Sequence, residues 1–155
     1  MATVDSTNLD QTQLVKTPKL DKGLKNGRIK VLQDEYTFPA DAFAANDEIN
    51  SISLPKGAKI IDAEVMAPSL GTTGIFSMGL RASLDADGNT LAEDADSLVA
   101  SADFGGAAAR QRMGSAEAAL DQKLGDEAQV FLTCTEVTTA AEDLVLKWKV
   151  YYVVD

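Results

Sequence analysis

Residues 142–154, with the sequence EDLVLKWKVYYVV, decide the fold class. Apolar side chains occupy alternate positions and are joined by further β-branched and aromatic residues, a pattern typical of a half-buried β-strand. The positions predicted to face the core are Leu144, Leu146, Trp148, Val150, Tyr152 and Val154. Trp148 is the largest of these side chains, so we expect it to anchor the core.

Five further stretches alternate in the same way and are bounded by turn residues such as Pro39, Pro55 and Pro68. A short hairpin at residues 138–141 connects residues 129–137 with residues 142–154. The predicted strands are residues 28–38, 47–54, 58–67, 75–84 and 129–137.

Alternation also assigns faces to these strands. Ile61 and Val65 share the predicted core face of the third strand, whereas Asp62 and Glu64 point the other way. By the same rule Phe131 points outward. Asp62 and Glu64 form a conceivable pair of catalytic carboxylates, but a solvated outer face is the simpler interpretation because the other strands have one too.

One stretch has a different period. Leu91, Ala95, Leu98, Val99 and Ala102 recur at three- and four-residue spacing, which predicts a short helix over residues 90–103. Residues 107–114 fit either a strand or a loop. The fold class predicted is mainly β, an antiparallel β-sandwich or jelly roll with one short helix and an extended N-terminal arm.

Composition excludes several kinds of chemistry. The chain has 155 residues, which suggests one folded domain, and it contains no His and one Cys. Ser-His-Asp catalysis, His-ligated or Cys-ligated zinc and an internal disulfide are therefore excluded. Cys134 shares a face with Val130 and Leu132, so an inert buried thiol is expected. We predict no catalytic residue, no bound metal and no cofactor.

Charge is distributed unevenly along the chain. The net charge is −10, but the first 30 residues carry +3 and the remaining 125 carry −13. Such an acidic body repels phosphate backbones, so nucleic acid is not an expected partner. The polar N-terminus resembles no signal peptide, and the apolar runs are far shorter than the ~20 residues of a spanning helix, which predicts synthesis in the cytosol and no membrane partner.

The chain divides into an arm at residues 1–27 and a β-sandwich domain at residues 28–155. The arm has no clean period and too little apolar surface to fold alone, but it could dock as an extended strip; a disordered tail is the equal alternative. The predicted partner-binding residues in the arm are Leu9, Leu14, Val15, Lys16, Lys19 and Leu20. Arg110 and Arg112 are added from the body, because a guanidinium can grip a partner carboxylate, although a solvated pair is equally compatible.

Residues 85–89 partly imitate a calcium loop. Asp85, Asp87 and Asn89 provide oxygen atoms at alternate positions, and Asp96 occupies position twelve. However, Thr90 stands where such a loop requires Gly, so an ordinary Asp-Gly turn is preferred and calcium binding is left open.

A family resemblance rests on the run DEINSISLPKGAKIIDA at residues 47–63, followed by Leu70-Gly71-Thr72-Thr73, a strand at 75–80 and the run ADSLVAS at 95–101. These turns and core positions resemble small virion proteins of tailed bacteriophages, including capsid decoration or cement proteins with jelly-roll-like sandwiches. The resemblance covers about residues 28–155. It implies a non-enzymatic structural role on the outside of a phage head, with the major capsid protein as partner.

Many identical copies seated in a symmetric lattice make modest contacts effectively tight. We therefore predict a homo-oligomer, a trimer or a dimer, that cements adjacent capsid subunits. Two alternatives stay open. One is a neck, tail or head-fibre component with the same sandwich, and the other is a carbohydrate-binding β-sandwich, for which the outward aromatic residues are few.

Overall fold

The computed structural model describes residues 28–38, 44–71, 74–114, 117–136 and 143–154. Its ten strands are β1 (Lys30–Thr37), β2 (Glu48–Leu54), β3 (Ala58–Ala67), β4 (Ile75–Leu80), β5 (Ser83–Leu84), β6 (Thr90–Leu91), β7 (Asp94–Asp103), β8 (Ala109–Arg112), β9 (Ala128–Cys134) and β10 (Val145–Val154). The arm at residues 1–27 and the predicted hairpin at 138–141 lie outside the described residues. No helix in the described part of the chain is long and apolar enough to cross a membrane.

The strands form two antiparallel four-stranded sheets and one short hairpin. The first sheet has the order β1-β10-β3-β8, the second β2-β9-β4-β7, and the hairpin is β5-β6. Each sheet thus alternates strands from distant parts of the sequence. The fold is mainly β and antiparallel, as predicted.

One core, built from residues of both sheets, includes the predicted anchor. Trp148 is 1% exposed, and Leu146 and Val150 flank it on the same face of β10. The indole Nε1 of Trp148 donates to Ser51 Oγ on the second sheet at 2.9 Å. Ser51 Oγ donates in turn to Asp34 Oδ2 of β1 at 2.7 Å, so one hydroxyl connects both sheets.

The predicted helix at residues 90–103 is wrong, because this segment forms β6 and β7. The register explains the misleading period. Phe76, Met78 and Leu80 on β4 oppose Ala102, Val99 and Asp94 on β7. Where β4 advances by two residues, β7 therefore advances by three and then by five. The extra residues of β7 change which of its side chains face the core. Three- and four-residue spacing arises here without a helix.

A bulge also corrects the faces predicted for the third strand. Tyr151 and Tyr152 of β10 oppose Asp62 and Ile60 of β3, which leaves Ile61 as an extra residue. Ile60 is therefore buried and Ile61 is exposed. The segment at residues 107–114, for which strand and loop were both open, contains the edge strand β8.

Candidate functional site

The outward side of the first sheet carries a network of ion pairs, which we call the cationic face. Glu64 of β3 lies at its centre and is fully buried. Arg110 of β8 donates to Glu64 Oε2, and the Tyr151 hydroxyl donates to Glu64 Oε1 at 3.0 Å. Lys149 Nζ lies 3.8 Å from Glu64 Oε1. The hydrogen bond to Glu64 raises the pKa of Tyr151 and keeps the phenol neutral.

Two further pairs extend the cationic face across the sheet. Arg112 of β8 pairs with Asp62 of β3, and Lys147 Nζ of β10 lies 3.4 Å from Glu35 Oε2 of β1. The residues of the face are thus Lys147, Lys149, Arg110 and Arg112 with Glu35, Asp62 and Glu64.

The structure therefore shows where the two predicted arginines lie and what they contact. Arg110 and Arg112 occupy the exposed edge strand β8 and pair with carboxylates of their own chain, yet their side chains remain 54% and 60% exposed. The carboxylates Glu64 and Asp62 are 1% and 19% exposed. Both lie on the face opposite the core, as alternation predicts, but β8 and β10 side chains cover Glu64. Sequence reasoning could not detect this because the pairing of β3 with β8 is non-local.

An apolar row borders the cationic face at one end. Val31 of β1 opposes Tyr151 of β10, which opposes Asp62 of β3 beside the bulged Ile61. Val31 and Ile61 are 49% and 37% exposed, and Ile29, just before β1, is 63% exposed. Three of the five exposed large hydrophobic residues in the described part of the chain therefore gather at this end.

The outward side of the second sheet is organised around Arg81. Its guanidinium carbon lies 3.9 Å from the centroid of the Phe131 ring. Arg81 also donates to Glu48 at 2.5 Å, Asn50 at 2.8 Å and Glu93 at 3.1 Å. The bond to Glu48 contributes most to raising the pKa of Arg81. Phe131, predicted to point outward into solvent, is fully buried beneath this side chain.

The residues that imitate a calcium loop form the turn of the β5-β6 hairpin. Asp85 Oδ1 accepts the backbone N–H groups of Asp87 and Asn89 at 2.9 and 2.8 Å. Asp85 Oδ2 accepts the Asn89 side-chain amide at 2.9 Å. These bonds, led by the Asn89 side chain, lower the pKa of Asp85, and Gly88 takes the positive φ of 84° that the turn requires.

Metal-ligating side chains and the single cysteine were the remaining candidates for chemistry in the described ranges. No group of three or more His, Cys, Asp or Glu residues there is placed to hold a metal ion. Cys134 is buried, as expected from its face, and its thiol donates to the Glu136 carbonyl at 2.8 Å. A shallow cleft of about 470 Å³ beside the β5-β6 turn is lined by residues that include Lys56, Lys123 and Asp87.

The predicted arm residues Leu9, Leu14, Val15, Lys16, Lys19 and Leu20 lie outside the described residues, so their docking remains a prediction. The described sites are a half-exposed basic network on one sheet and an arginine-capped aromatic ring on the other.

Comparison with known proteins identifies the class of fold. No protein-family model matches the sequence, and no curated protein matches it. Among solved structures, a chain of the capsid of Ralstonia phage GP4 is similar with a TM-score of 0.64 and 19% identity, over 92% of this chain and 91% of that chain. A chain of the cyanophage Pam1 capsid asymmetric unit is similar with a TM-score of 0.60 and 18% identity, over the full length of both chains. The protein therefore has a fold found in phage capsid structures.

Proposed function

We propose that this chain is a non-enzymatic structural protein of a phage virion, which binds the outside of the capsid and cements or decorates adjacent major capsid subunits. The observation that carries the proposal is the similarity to capsid chains over nearly the whole length of both partners. The match extends over 91% and 100% of the two capsid chains, so it is not confined to a small part of either.

The strand order supports assignment of the sandwich as a jelly roll. Eight long strands divide into the orders β1-β10-β3-β8 and β2-β9-β4-β7, so that the first and last strands pair and distant strands interleave. This is the arrangement that two Greek keys produce in the jelly rolls of viral capsid domains.

The division into an arm and a body gives the protein two ways to hold a lattice. An arm of 27 residues spans at most about 97 Å when extended, which is enough to cross a neighbouring subunit. Its candidate contacts are Leu9, Leu14, Val15, Lys16, Lys19 and Leu20, with Arg110 and Arg112 on the body. A homo-oligomer, a trimer or dimer, would multiply these contacts and raise the effective affinity.

A neck, tail or head-fibre component with the same sandwich remains the main alternative. The carbohydrate-binding alternative is disfavoured by a specific observation. Phe131, one of the two aromatic side chains available for stacking on a sugar, is buried under Arg81.

The copy number per virion tests the proposal. We expect quantitative mass spectrometry of purified particles to give one copy per major capsid subunit, or a simple lattice fraction of it. About a dozen copies would assign the protein to the neck or tail instead. Its absence from particles would overturn the structural role.

The contribution of the arm is tested in the full-length chain by Lys16→Glu with Lys19→Glu. We expect weaker binding to capsid shells prepared without this protein, because the arm would lose its attraction to an acidic surface. Lys22→Glu with Lys25→Glu makes the same change of charge outside the candidate contacts and is the matched control. Equal binding by both variants and the unaltered chain would contradict arm docking.

A further inference from the structure

We propose that the cationic face is the surface of the body that docks onto the capsid, and that its partner there is an acidic protein surface of the shell. This inference rests on the proposed function and deepens it. It assigns the lattice-facing side to one of the two sheets, the sheet β1-β10-β3-β8.

The distribution of charge distinguishes this face from the rest of the body. Four of the ten Lys and Arg residues in the described part of the chain lie on it, with three of the eighteen Asp and Glu residues. The cationic face therefore carries a net charge of +1, whereas the remaining described residues carry −9. An acidic partner is therefore attracted to this side, whereas the remaining surface of the body repels it.

The depth of the side chains strengthens that asymmetry. Arg110 and Arg112 are 54% and 60% exposed, whereas their partners Glu64 and Asp62 are 1% and 19% exposed. Lys147 and its partner Glu35 are exposed to similar extents, 50% and 58%. On the β8 side of the face, an approaching surface therefore meets the guanidinium groups before the carboxylates. The paired carboxylates also hold these long side chains in place, which reduces the entropy that they lose on binding.

The position of the arm relative to this face provides an independent argument. Residues 1–27 join the described body at Arg28, two residues before β1 begins at Lys30. β1 belongs to the cationic sheet, and the apolar row of Val31, Tyr151 and Ile61 lies at this end. The residue to which the positively charged arm is attached therefore lies at the end of the sheet that carries the apolar row and the basic network. A partner that engages the arm would next meet this face.

The apolar row also meets the requirements of an interface core. A docking surface combines an apolar patch with a charged rim, and charge pairs at the rim control orientation and association rate. Val31 and Ile61 supply the apolar patch, and Lys147, Lys149 and Arg112 supply the rim.

Two matched pairs of substitutions test the inference in the full-length protein. Val31→Glu in the apolar row and Lys147→Glu in the cationic face, together called the cationic-face variants, alter the proposed docking surface at exposed positions. Ile52→Glu and Lys56→Glu make the same changes at exposed positions of β2 and the β2-β3 turn. Binding to capsid shells of the phage that encodes the chain, prepared without it, is measured by co-sedimentation after circular dichroism has shown that each variant is folded.

We expect each cationic-face variant to bind at least tenfold more weakly and each control variant to bind within twofold of the unaltered protein. Normal binding by the cationic-face variants, or a greater loss in the controls, would overturn the assigned face while leaving the proposed function intact. Failure of the unaltered protein to bind would instead contradict the proposed function, so the two failures are distinguishable.

Lysine acetylation of the unaltered protein gives a second test that depends on no variant. On the shell, Lys147 and Lys149 should be modified at least fivefold more slowly than in the free protein, whereas Lys56 should react at an unchanged rate. Protection of Lys56 without protection of Lys147 would assign the opposite orientation and overturn the inference.

Discussion

Ser51 is the residue at which the two sheets depend on each other most directly. Its hydroxyl accepts the indole N–H of Trp148 from the first sheet and donates to Asp34 of β1. The hydroxyl is thus used both as donor and as acceptor, and both partners lie on the opposite sheet. A buried indole N–H has no access to water, so its satisfaction depends on this one oxygen.

We therefore expect Ser51→Ala to lower the free energy of unfolding by about 1–3 kcal/mol, the cost of leaving a buried donor unsatisfied. Urea unfolding followed by tryptophan fluorescence measures this change, because Trp148 is the single tryptophan of the chain. Ser53→Ala, on the same strand, is the control and should change stability by less than about 0.5 kcal/mol. Equal effects of the two substitutions would contradict the bridging role.

Asp85 is an ionised group whose pKa depends on hydrogen bonds to residues that follow it closely in the sequence. The Asn89 side chain is the largest cause of its lowered pKa. The stabilisation of the turn by the carboxylate is complete above the ordinary Asp pKa of about 3.9 and is lost as the pH falls through the lowered pKa. Asn89→Ala should therefore shift the Asp85 titration midpoint upward, toward the ordinary value.

Carboxyl-carbon NMR during a pH titration measures that midpoint. Asn50→Ala is the control, since the Asn50 amide contacts Arg81 and not Asp85. An Asp85 midpoint that is unaffected by Asn89→Ala, or shifted equally by the control, would show that the backbone bonds alone stabilise the carboxylate.

At the scale of the element, the accuracy of the sequence prediction depends on strand regularity. β10 was predicted correctly because its alternation is uninterrupted over the inward residues Leu146, Trp148 and Val150. β7 was not, because its extra residues against β4 break the period of two. A bulge depends on how a partner strand lies, and that information is not local in sequence.

Prediction of the candidate site was also limited by information that is not local in sequence. Alternation correctly placed Asp62 and Glu64 on the outer side of β3, and the arginines were recognised as candidate contacts. That Arg110 and Arg112 cover these two carboxylates follows only from the pairing of β3 with β8, nearly fifty residues apart. Phe131 lies on the predicted outward side of β9, but its burial was not predicted because Arg81, fifty residues earlier, shields it from solvent.

The irregular pairing of β7 with β4 explains why glycine is needed at position 79 of β4. The β7 backbone passes so close that a Cβ atom at Gly79 would lie 1.9 Å from the Asp94 carbonyl oxygen. Gly79→Ala should therefore lower the free energy of unfolding by about 2–3 kcal/mol, because backbone atoms must move to admit the methyl group. Chemical denaturation measures the change.

Gly114→Ala provides the comparison for Gly79→Ala. A Cβ atom there would lie 3.1 Å from the flexible Glu117 side chain, which can move aside. We expect a change below about 1 kcal/mol. If the two substitutions destabilised the protein equally, the close approach of β7 to β4 would not be the reason that glycine is needed at position 79.

At the scale of the whole molecule, the fold separates positive from negative charge more completely than the order of residues in the sequence does. The arm and the cationic face are distant in sequence, yet β1 joins the arm to the sheet that carries the face. Most of the remaining acidic residues lie elsewhere on the body. A molecule with this polarity can approach an acidic lattice in one orientation while presenting negative charge to solvent and to its neighbours.

This polarity predicts how salt affects binding to capsid shells. The Debye length falls from about 10 Å at 0.1 M salt to about 3 Å at 1 M, so attraction through half-exposed groups such as Arg112 and Lys147 should weaken strongly. Co-sedimentation of the unaltered protein should show affinity falling at least tenfold between these NaCl concentrations. Lys147→Glu should give a shallower dependence, because the variant has less attraction to lose, whereas Lys56→Glu should retain the original slope. A salt-independent affinity would mean that apolar contacts such as those of Val31 dominate, and equal slopes for the two variants would remove Lys147 from the electrostatic contact.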